Sequence, residues 1–177
     1  MGRVESGSVA LGDVVTVLPR GLATRVSAIR TFHGEQASAS LHSAITLELE
    51  DEIDVSRGDM LADPGRPPVA AGELVARVCW MSERPLDRSA TLAIKQTTRT
   101  SRARVSELCS VVDIETLDDR PSPERLELND LGVVRFRLAE PLVVDPYARN
   151  RATGGFILID EATNDTVGAG MVVEAMA

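Results

Sequence analysis

The sequence has few aromatic residues, few cysteines and no long apolar segment. Only 3% of its 177 residues are aromatic although 44% are hydrophobic, so a core has to consist mainly of aliphatic side chains. Cys79 and Cys109 lack the spacing of a metal site, and we interpret them as buried, reduced thiols. Since no apolar run approaches the roughly 20 residues that cross a bilayer and the first residues do not resemble a signal peptide, we predict a cytoplasmic protein without membrane contact.

Positive charge is scarce relative to negative charge. The chain contains 19 Lys and Arg against 27 Asp and Glu, which gives a net charge of -8 and a pI of about 4.8. A chain with this charge is repelled by phosphate backbones. We therefore expect no nucleic acid among its partners.

The common motifs of catalysis, metal binding and nucleotide binding are missing. The sequence has no G-x-x-x-x-G-K-[ST] phosphate loop, no G-x-S-x-G nucleophile elbow and no H-E-x-x-H zinc helix. His33 and His42 are its only histidines, and no third ligand stands at a fixed spacing from them. We predict no catalytic residue, no cofactor-binding residue and no metal ligand in this chain, and the residues leave open whether it belongs to an enzyme.

Apolar and polar residues alternate with a period of two through most of the sequence. Ile45, Leu47 and Leu49 would share one face of a strand, because successive side chains point to opposite faces. Strand candidates recur about every ten residues with turn residues between them, a pattern typical of β-barrels and sandwiches. We predict an all-β chain with one small barrel over residues 1–66, a semi-rigid linker over 67–72 that begins with two prolines, and a second barrel over 73–177.

Several local patterns lie in the second half. Residues 156–159 and 166–173 predict a hairpin across the turn EATND. Gly168 and Gly170 in its second strand would let another backbone or a bulky neighbour approach closely. Residues 103–114 predict another strand. The segment SPERLELNDLG is the one stretch that could form a short helix, with Leu126 and Leu128 facing inward.

Lys95, Arg99, Arg102 and Arg104 form the only local concentration of positive charge. Arg102 and Arg104 would share one strand face. They could dock an anion such as sulfate or phosphate, or an acidic partner. A plain solvated surface would show the same pattern, and the sequence leaves both interpretations open.

The first half resembles the second domain of translation-factor GTPases. GRVESGSVALGD, from Gly2 to Asp13, meets every fixed position of that barrel's pattern, G-R-[VI]-x-[SR]-G-x-[VL]-x-x-G-D. EDEIDVSRGDML, residues 50–61, is similar to the closing element of the same barrel. The glycines permit tight turns and the small aliphatic residues fill a small barrel.

The second half is similar to the GTPase subunit of bacterial sulfate adenylyltransferase, in which two barrels follow a GTP-binding domain. The specific match is the pattern D-x-Y-x-x-N-x-x-T-G-x-F-I-L-I-D, met between Asp145 and Asp160. The resemblance covers nearly the whole chain. It implies two small β-barrels that resemble domains 2 and 3 of translation-factor GTPases.

The resemblance implies a role in sulfate assimilation. In this family the GTPase subunit couples GTP hydrolysis to the synthesis of adenosine 5'-phosphosulfate from ATP and sulfate by a catalytic partner subunit. GTP and Mg²⁺ are bound by a GTPase domain, whose phosphate loop and N-K-x-D motif are not among the present residues. No catalytic or GTP-binding residue is therefore carried over. The expectation is a C-terminal portion that begins inside the second domain, without the first strand of its barrel.

The implied partners are the catalytic subunit of sulfate adenylyltransferase and the GTPase domain of the full-length protein. Candidate contacts are three residues on the loop before the last hairpin and two arginines of the basic cluster: Tyr147, Asn150, Arg151, Arg102 and Arg104. One alternative is the barrel fragment of a translation elongation factor that binds tRNA. Another is a free-standing binding module.

Overall fold

The computed structural model describes residues 1–113, 115–116 and 118–177, and these residues are almost entirely β-structure. They divide into two compact units, Met1–Pro68 and Val69–Ala177, which we call the N-terminal unit and the barrel unit. Ile114, the last residue of the predicted strand over 103–114, lies outside the described residues. No helix among the described residues is long and apolar enough to cross a membrane.

The N-terminal unit is an open, half-barrel arrangement of antiparallel strands. Its main sheet has the order β1-β7-β4-β3-β8, with β5 beside β4, and β2 pairs separately with β6. Its core contains only small and medium aliphatic side chains, including Val15, Val26 and Ile29. The strands are β1 Gly2–Arg3, β2 Ser8–Ala10, β3 Val14–Leu18, β4 Leu22–Thr31, β5 Gly34–Glu35, β6 Ser38–Ser40, β7 Ala44–Leu49 and β8 Met60–Ala62.

The barrel unit contains a closed ring of six antiparallel strands. The order is β11-β16-β17-β9-β15-β12, and β12 pairs again with β11, so the ring has no free edge. β10 and β14 form a separate ribbon, and β13 pairs with the C-terminal end of β12. The elements are β9 Val69–Trp80, β10 Leu86–Asp87, β11 Thr91–Gln96, β12 Arg99–Val112, β13 Asp119–Pro121, β14 Arg125–Leu126, β15 Leu131–Val144, α1 Arg151–Gly154, β16 Gly155–Ile159 and β17 Thr166–Met176.

Side chains that alternate along these strands fill the barrel. Ile94, Val134 and Leu158 are fully buried, and burial of one such side chain stabilises the fold by about 1.5–3 kcal/mol. Phe136 and Phe156 supply the large rings, which meet edge to face with centroids 6.1 Å apart and an interplanar angle of 88°. Aliphatic residues thus build most of the core, together with this aromatic pair and Trp80.

The predicted linker over 67–72 is shorter in the structure. β9 begins at Val69, pairs with Val144 of β15, and buries Ala71 completely. Three apolar residues in a row after the prolines have a neighbouring strand to pair with, so they extend the sheet. Only Pro67 and Pro68, which cannot donate to a strand ladder, lie outside it.

Two other expectations need correction. Cys79 and Cys109 are free but half-buried rather than buried, and desolvation, with the nearby Glu107 carboxylate, raises the pKa of the Cys109 thiol. The short helix proposed for SPERLELNDLG is wrong, because Leu126 belongs to β14 and Leu128 is exposed. The turn residues of this segment favour a short β-ribbon with bends rather than a helical turn.

The carboxylate of Asp87 provides a test of the β10 turn. The hydroxyl and the amide of Ser89 both donate to its Oδ1, and the hydroxyl is the main cause that lowers the pKa of Asp87 below 3.8. Because the folded pKa is below the unfolded one, this stabilising effect is present above pH 3.8 and is lost as the pH falls through the folded pKa. We expect Ser89→Ala to raise the pKa of Asp87 toward 3.8, as measured by NMR titration of the carboxyl carbon.

The same titration contains its own control. Asp113 also has a lowered pKa, but the amides of Glu115 and Thr116 are the main cause, so Ser89→Ala should leave it unchanged. An unaltered Asp87 titration in that variant would contradict the role of the hydroxyl.

Candidate partner-contact site

The loop that carries Tyr147, Asn150 and Arg151 connects β15 to β16 and is held close to the barrel. The amide of Tyr147 donates to the carbonyl of Val172 at 2.8 Å, which joins the loop to β17. The side chain of Asn150 caps α1 by accepting a hydrogen bond from the amide of Ala152 at 3.1 Å. Arg151 is exposed on the first turn of α1, while Tyr147 and Asn150 are half-buried.

A buried polar network fastens this loop to β11. The hydroxyl of Thr153 donates to Oδ2 of Asp145 at 2.7 Å, and the amide group of Gln96 donates to the carbonyl of Thr153 at 2.9 Å. All three residues are buried. Arg149 adds an ion pair with the Asp145 carboxylate at 3.4 Å. The network keeps the buried polar groups satisfied, so the loop becomes a fixed part of the barrel surface.

Gly154 brings α1 into direct contact with the loop backbone. A Cβ at this position would lie 2.5 Å from Cα of Tyr147 and 2.8 Å from the carbonyl oxygen of Asp145. No side chain fits there without moving the backbone. The loop therefore forms a rigid support, and Arg151 is the exposed charge on it.

The four basic residues of the predicted patch do not form a free positive cluster in the structure: Lys95, Arg99, Arg102 and Arg104. Arg102 forms a two-pronged ion pair with Glu161, with nitrogen–oxygen distances of 3.1 and 3.3 Å, and Arg99 lies 3.5 Å from Glu140. Lys95 is exposed on β11. Two of the four charges therefore face a carboxylate, which weakens any attraction for a free anion.

Arg104 has a different environment from Arg102. It is exposed on the outer face of β12, opposite Thr91 on one side and Arg137 on the other. Arg137 is held by Glu73 at 2.8 Å, which moderates the repulsion between the two facing guanidinium groups. Arg104 therefore faces another arginine across the ladder, whereas Arg102 faces a carboxylate.

An open hollow lies beside Arg102. Its volume is about 320 Å³, and Arg102, Glu140 and Glu161 line it together with small residues. The Ser101 hydroxyl closes one wall by donating to the carbonyl of Glu140 at 2.9 Å. One guanidinium against two carboxylates leaves the lining negative, which suits contact with a polar protein surface more than capture of an anion. Within the described residues, no group of three or more His, Cys, Asp or Glu side chains could hold a metal ion.

Sequence reasoning found the loop but missed what holds it. Asp145 and Thr153 stand in the quoted pattern, but nothing in the sequence links them to Gln96, which is 57 residues from Thr153. The cap formed by Asn150 had a signal, since Asn before a short helical turn is a common cap. The two groups of predicted contacts lie on different elements, the loop before β16 and the outer face of β12.

The strands have the fold of the β-barrels in translation-factor GTPases. Sup35 complexed with GDP superposes with a TM-score of 0.89 at 20% identity, covering 99% of this chain and 43% of that one. Elongation factor SelB from Methanococcus maripaludis has a TM-score of 0.75 at 18% identity, covering 96% and 38%. The predicted fold class is confirmed.

Residues 73–173 match the family described as GTP-eEF1A C-terminal domain-like, and the chain belongs to this family. It is 42% identical over 176 residues to sulfate adenylyltransferase subunit 1 of Alteromonas mediterranea, covering 99% of this chain. It is 44% identical over 177 residues to the Tolumonas auensis protein of the same name. The chain spans 37% of the length of each. The resemblance noted from the sequence is confirmed.

Proposed function

We propose that this chain is a non-catalytic barrel portion of a sulfate adenylyltransferase GTPase subunit. Its work is to couple GTP hydrolysis to the synthesis of adenosine 5'-phosphosulfate by a catalytic partner subunit in sulfate assimilation. The observation that carries the proposal is the identity of 42–44% over 99–100% of the chain to proteins named subunit 1. Likeness to translation factors at 18–20% identity supports the fold only, so a tRNA-binding role is less well supported.

Within this proposal the nucleotide is bound elsewhere in a full-length protein. The sequence has neither the phosphate loop nor the guanine-reading motif, so GTP and Mg²⁺ belong to a GTPase domain outside these residues. The protein works in the cytoplasm and binds no nucleic acid. The purified chain accordingly neither hydrolyses GTP nor adenylates sulfate.

The partner surface in this proposal is the rigid loop together with the outer face of β12. Arg151 and Arg104 are its main contacts, since both are exposed and arginine is enriched at interface hot spots. Tyr147 and Asn150 contribute as half-buried neighbours of Arg151. Arg102 contributes through its ion pair with Glu161.

Size-exclusion chromatography with light scattering tests the proposal. The chain, mixed with the catalytic subunit of sulfate adenylyltransferase from the same source, is expected to elute as one complex. The double substitution of Arg104 and Arg151 by Ala should weaken that complex by about tenfold or more. Arg57→Ala, which removes an exposed arginine from the N-terminal unit, is the matched control. Separate elution of the two wild-type proteins, each folded, would overturn the proposal.

A further inference from the structure

Phe32 is an exposed aromatic residue that the fold does not use. It lies at the tip of the hairpin between β4 and β5, and 98% of its surface is exposed. The other two phenylalanines of the chain, Phe136 and Phe156, fill the barrel. Exposure of a whole aromatic ring to water is unfavourable. The chain has few aromatic residues, and this one stands at the outermost point of a hairpin, where it adds nothing to the core.

The hairpin fixes the backbone that carries the ring. Thr31 pairs with Gly34, and its hydroxyl both donates to the carbonyl of Gly34 and accepts from the amide of His33, each at 3.2 Å. Gly34 has a φ of 100°, a conformation open mainly to glycine. The ring of His33 lies edge-on to Phe32, with centroids 5.5 Å apart. A preorganised tip loses little conformational freedom when it binds.

The base of the hairpin is braced and carries excess negative charge. Arg30 bridges two carboxylates, Glu48 at 2.6 Å and Glu35 at 3.3 Å. One guanidinium against two carboxylates leaves the base negative, in a chain whose net charge is -8. The negative charge near the ring repels nucleic acids and anionic lipid surfaces. The surface that fits is an apolar pocket on a protein, with Lys or Arg around its rim.

We propose that Phe32 is an anchor that inserts into an apolar, basic-rimmed pocket of the partner subunit. Buried aromatic anchors carry much of the binding energy in protein interfaces. The inference rests on the proposed function, because it takes the catalytic sulfate adenylyltransferase subunit as the partner. It adds a contact point on the N-terminal unit, separate from the loop and β12 of the barrel unit.

Phe32→Ala tests the anchor by affinity, and Phe32→Trp tests it by fluorescence. We expect Phe32→Ala to raise the Kd for the catalytic subunit by about tenfold or more, with an unchanged melting temperature. Leu22→Ala, which trims another exposed apolar side chain of β4, should change the Kd by less than about twofold. The only native tryptophan, Trp80, is 3% exposed, so a difference spectrum reports on the new indole.

Each outcome of these measurements decides the inference. Binding of Phe32→Trp with a shift of its emission to shorter wavelength and reduced quenching by acrylamide supports the anchor. If the wild-type complex forms, Phe32→Ala binds equally well and the new indole of Phe32→Trp stays exposed, the anchor is overturned. The proposed function then still stands. If the wild-type chain forms no complex, both proposals fail.

Discussion

Replacement of Gly170 by Ala is expected to lower the free energy of unfolding of the barrel by about 3 kcal/mol. A Cβ at this position in β17 would lie 2.1 Å from Cζ of Phe156. The ring cannot swing away freely, because it is buried and packs edge to face against Phe136. Urea denaturation followed by Trp80 fluorescence measures the loss.

A control and a rescue accompany this substitution. Gly72→Ala in β9 is the control, since no atom lies within 4 Å of the added Cβ, and its effect should be within about 1 kcal/mol of zero. Phe156→Leu should recover part of the loss in the Gly170→Ala background, although it destabilises the wild type. Equal stability of the Gly170→Ala and Gly72→Ala variants would contradict the close ring contact.

Thr153→Val is expected to cost about 2 kcal/mol of stability and to loosen the loop before β16. The substitution keeps the shape of the side chain but removes the hydroxyl that donates to Asp145 at 2.7 Å. The carboxylate is buried and would lose a hydrogen bond that water cannot easily replace. Urea denaturation gives the stability change. Hydrogen exchange should show faster opening at the amides of Tyr147 and Gly154, which bond to Val172 and Asn150.

Thr153→Ser keeps the hydroxyl and removes only the methyl group, so it distinguishes their contributions to stability. It retains the donor and should recover most of the lost stability and exchange protection. Arg151→Ala, in the same short helix but exposed, should leave both unchanged. If the Val and Ser variants behave alike, the hydrogen bond to Asp145 does not hold the loop.

Local patterns were sufficient to predict β7, β16 and β17. Alternation around Ile45 marks β7, and the hairpin predicted over 156–159 and 166–173 is confirmed as β16 and β17. The close approach expected at Gly170 is present, and the neighbour is the ring of Phe156. The start of β9 was missed because the preceding prolines suggested a linker, whereas pairing with β15 extends the strand back to Val69.

The candidate site was only partly predictable. Tyr147, Asn150 and Arg151 were placed on one loop, but their different roles depend on contacts that sequence distance hides. The amide of Tyr147 bonds to β17, and Gln96 reaches Thr153 from another strand of the ring. The pairing of Arg102 with Glu161, 59 residues away, likewise follows from the closure of the barrel. Phe32 continues the apolar alternation that begins at Val26, which indicates a buried position, but the structure exposes its ring.

The order of strands in the closed ring affects how the protein is made. β17, the last strand of the ring in chain order, lies between β9, the first strand of the ring, and β16. While the nascent chain grows, β9 and β16 each have an unpaired edge that only β17 can cover. The ring can therefore close only after Thr166–Met176 has been synthesised, and until then β9 and β16 each present an edge that can pair with other chains.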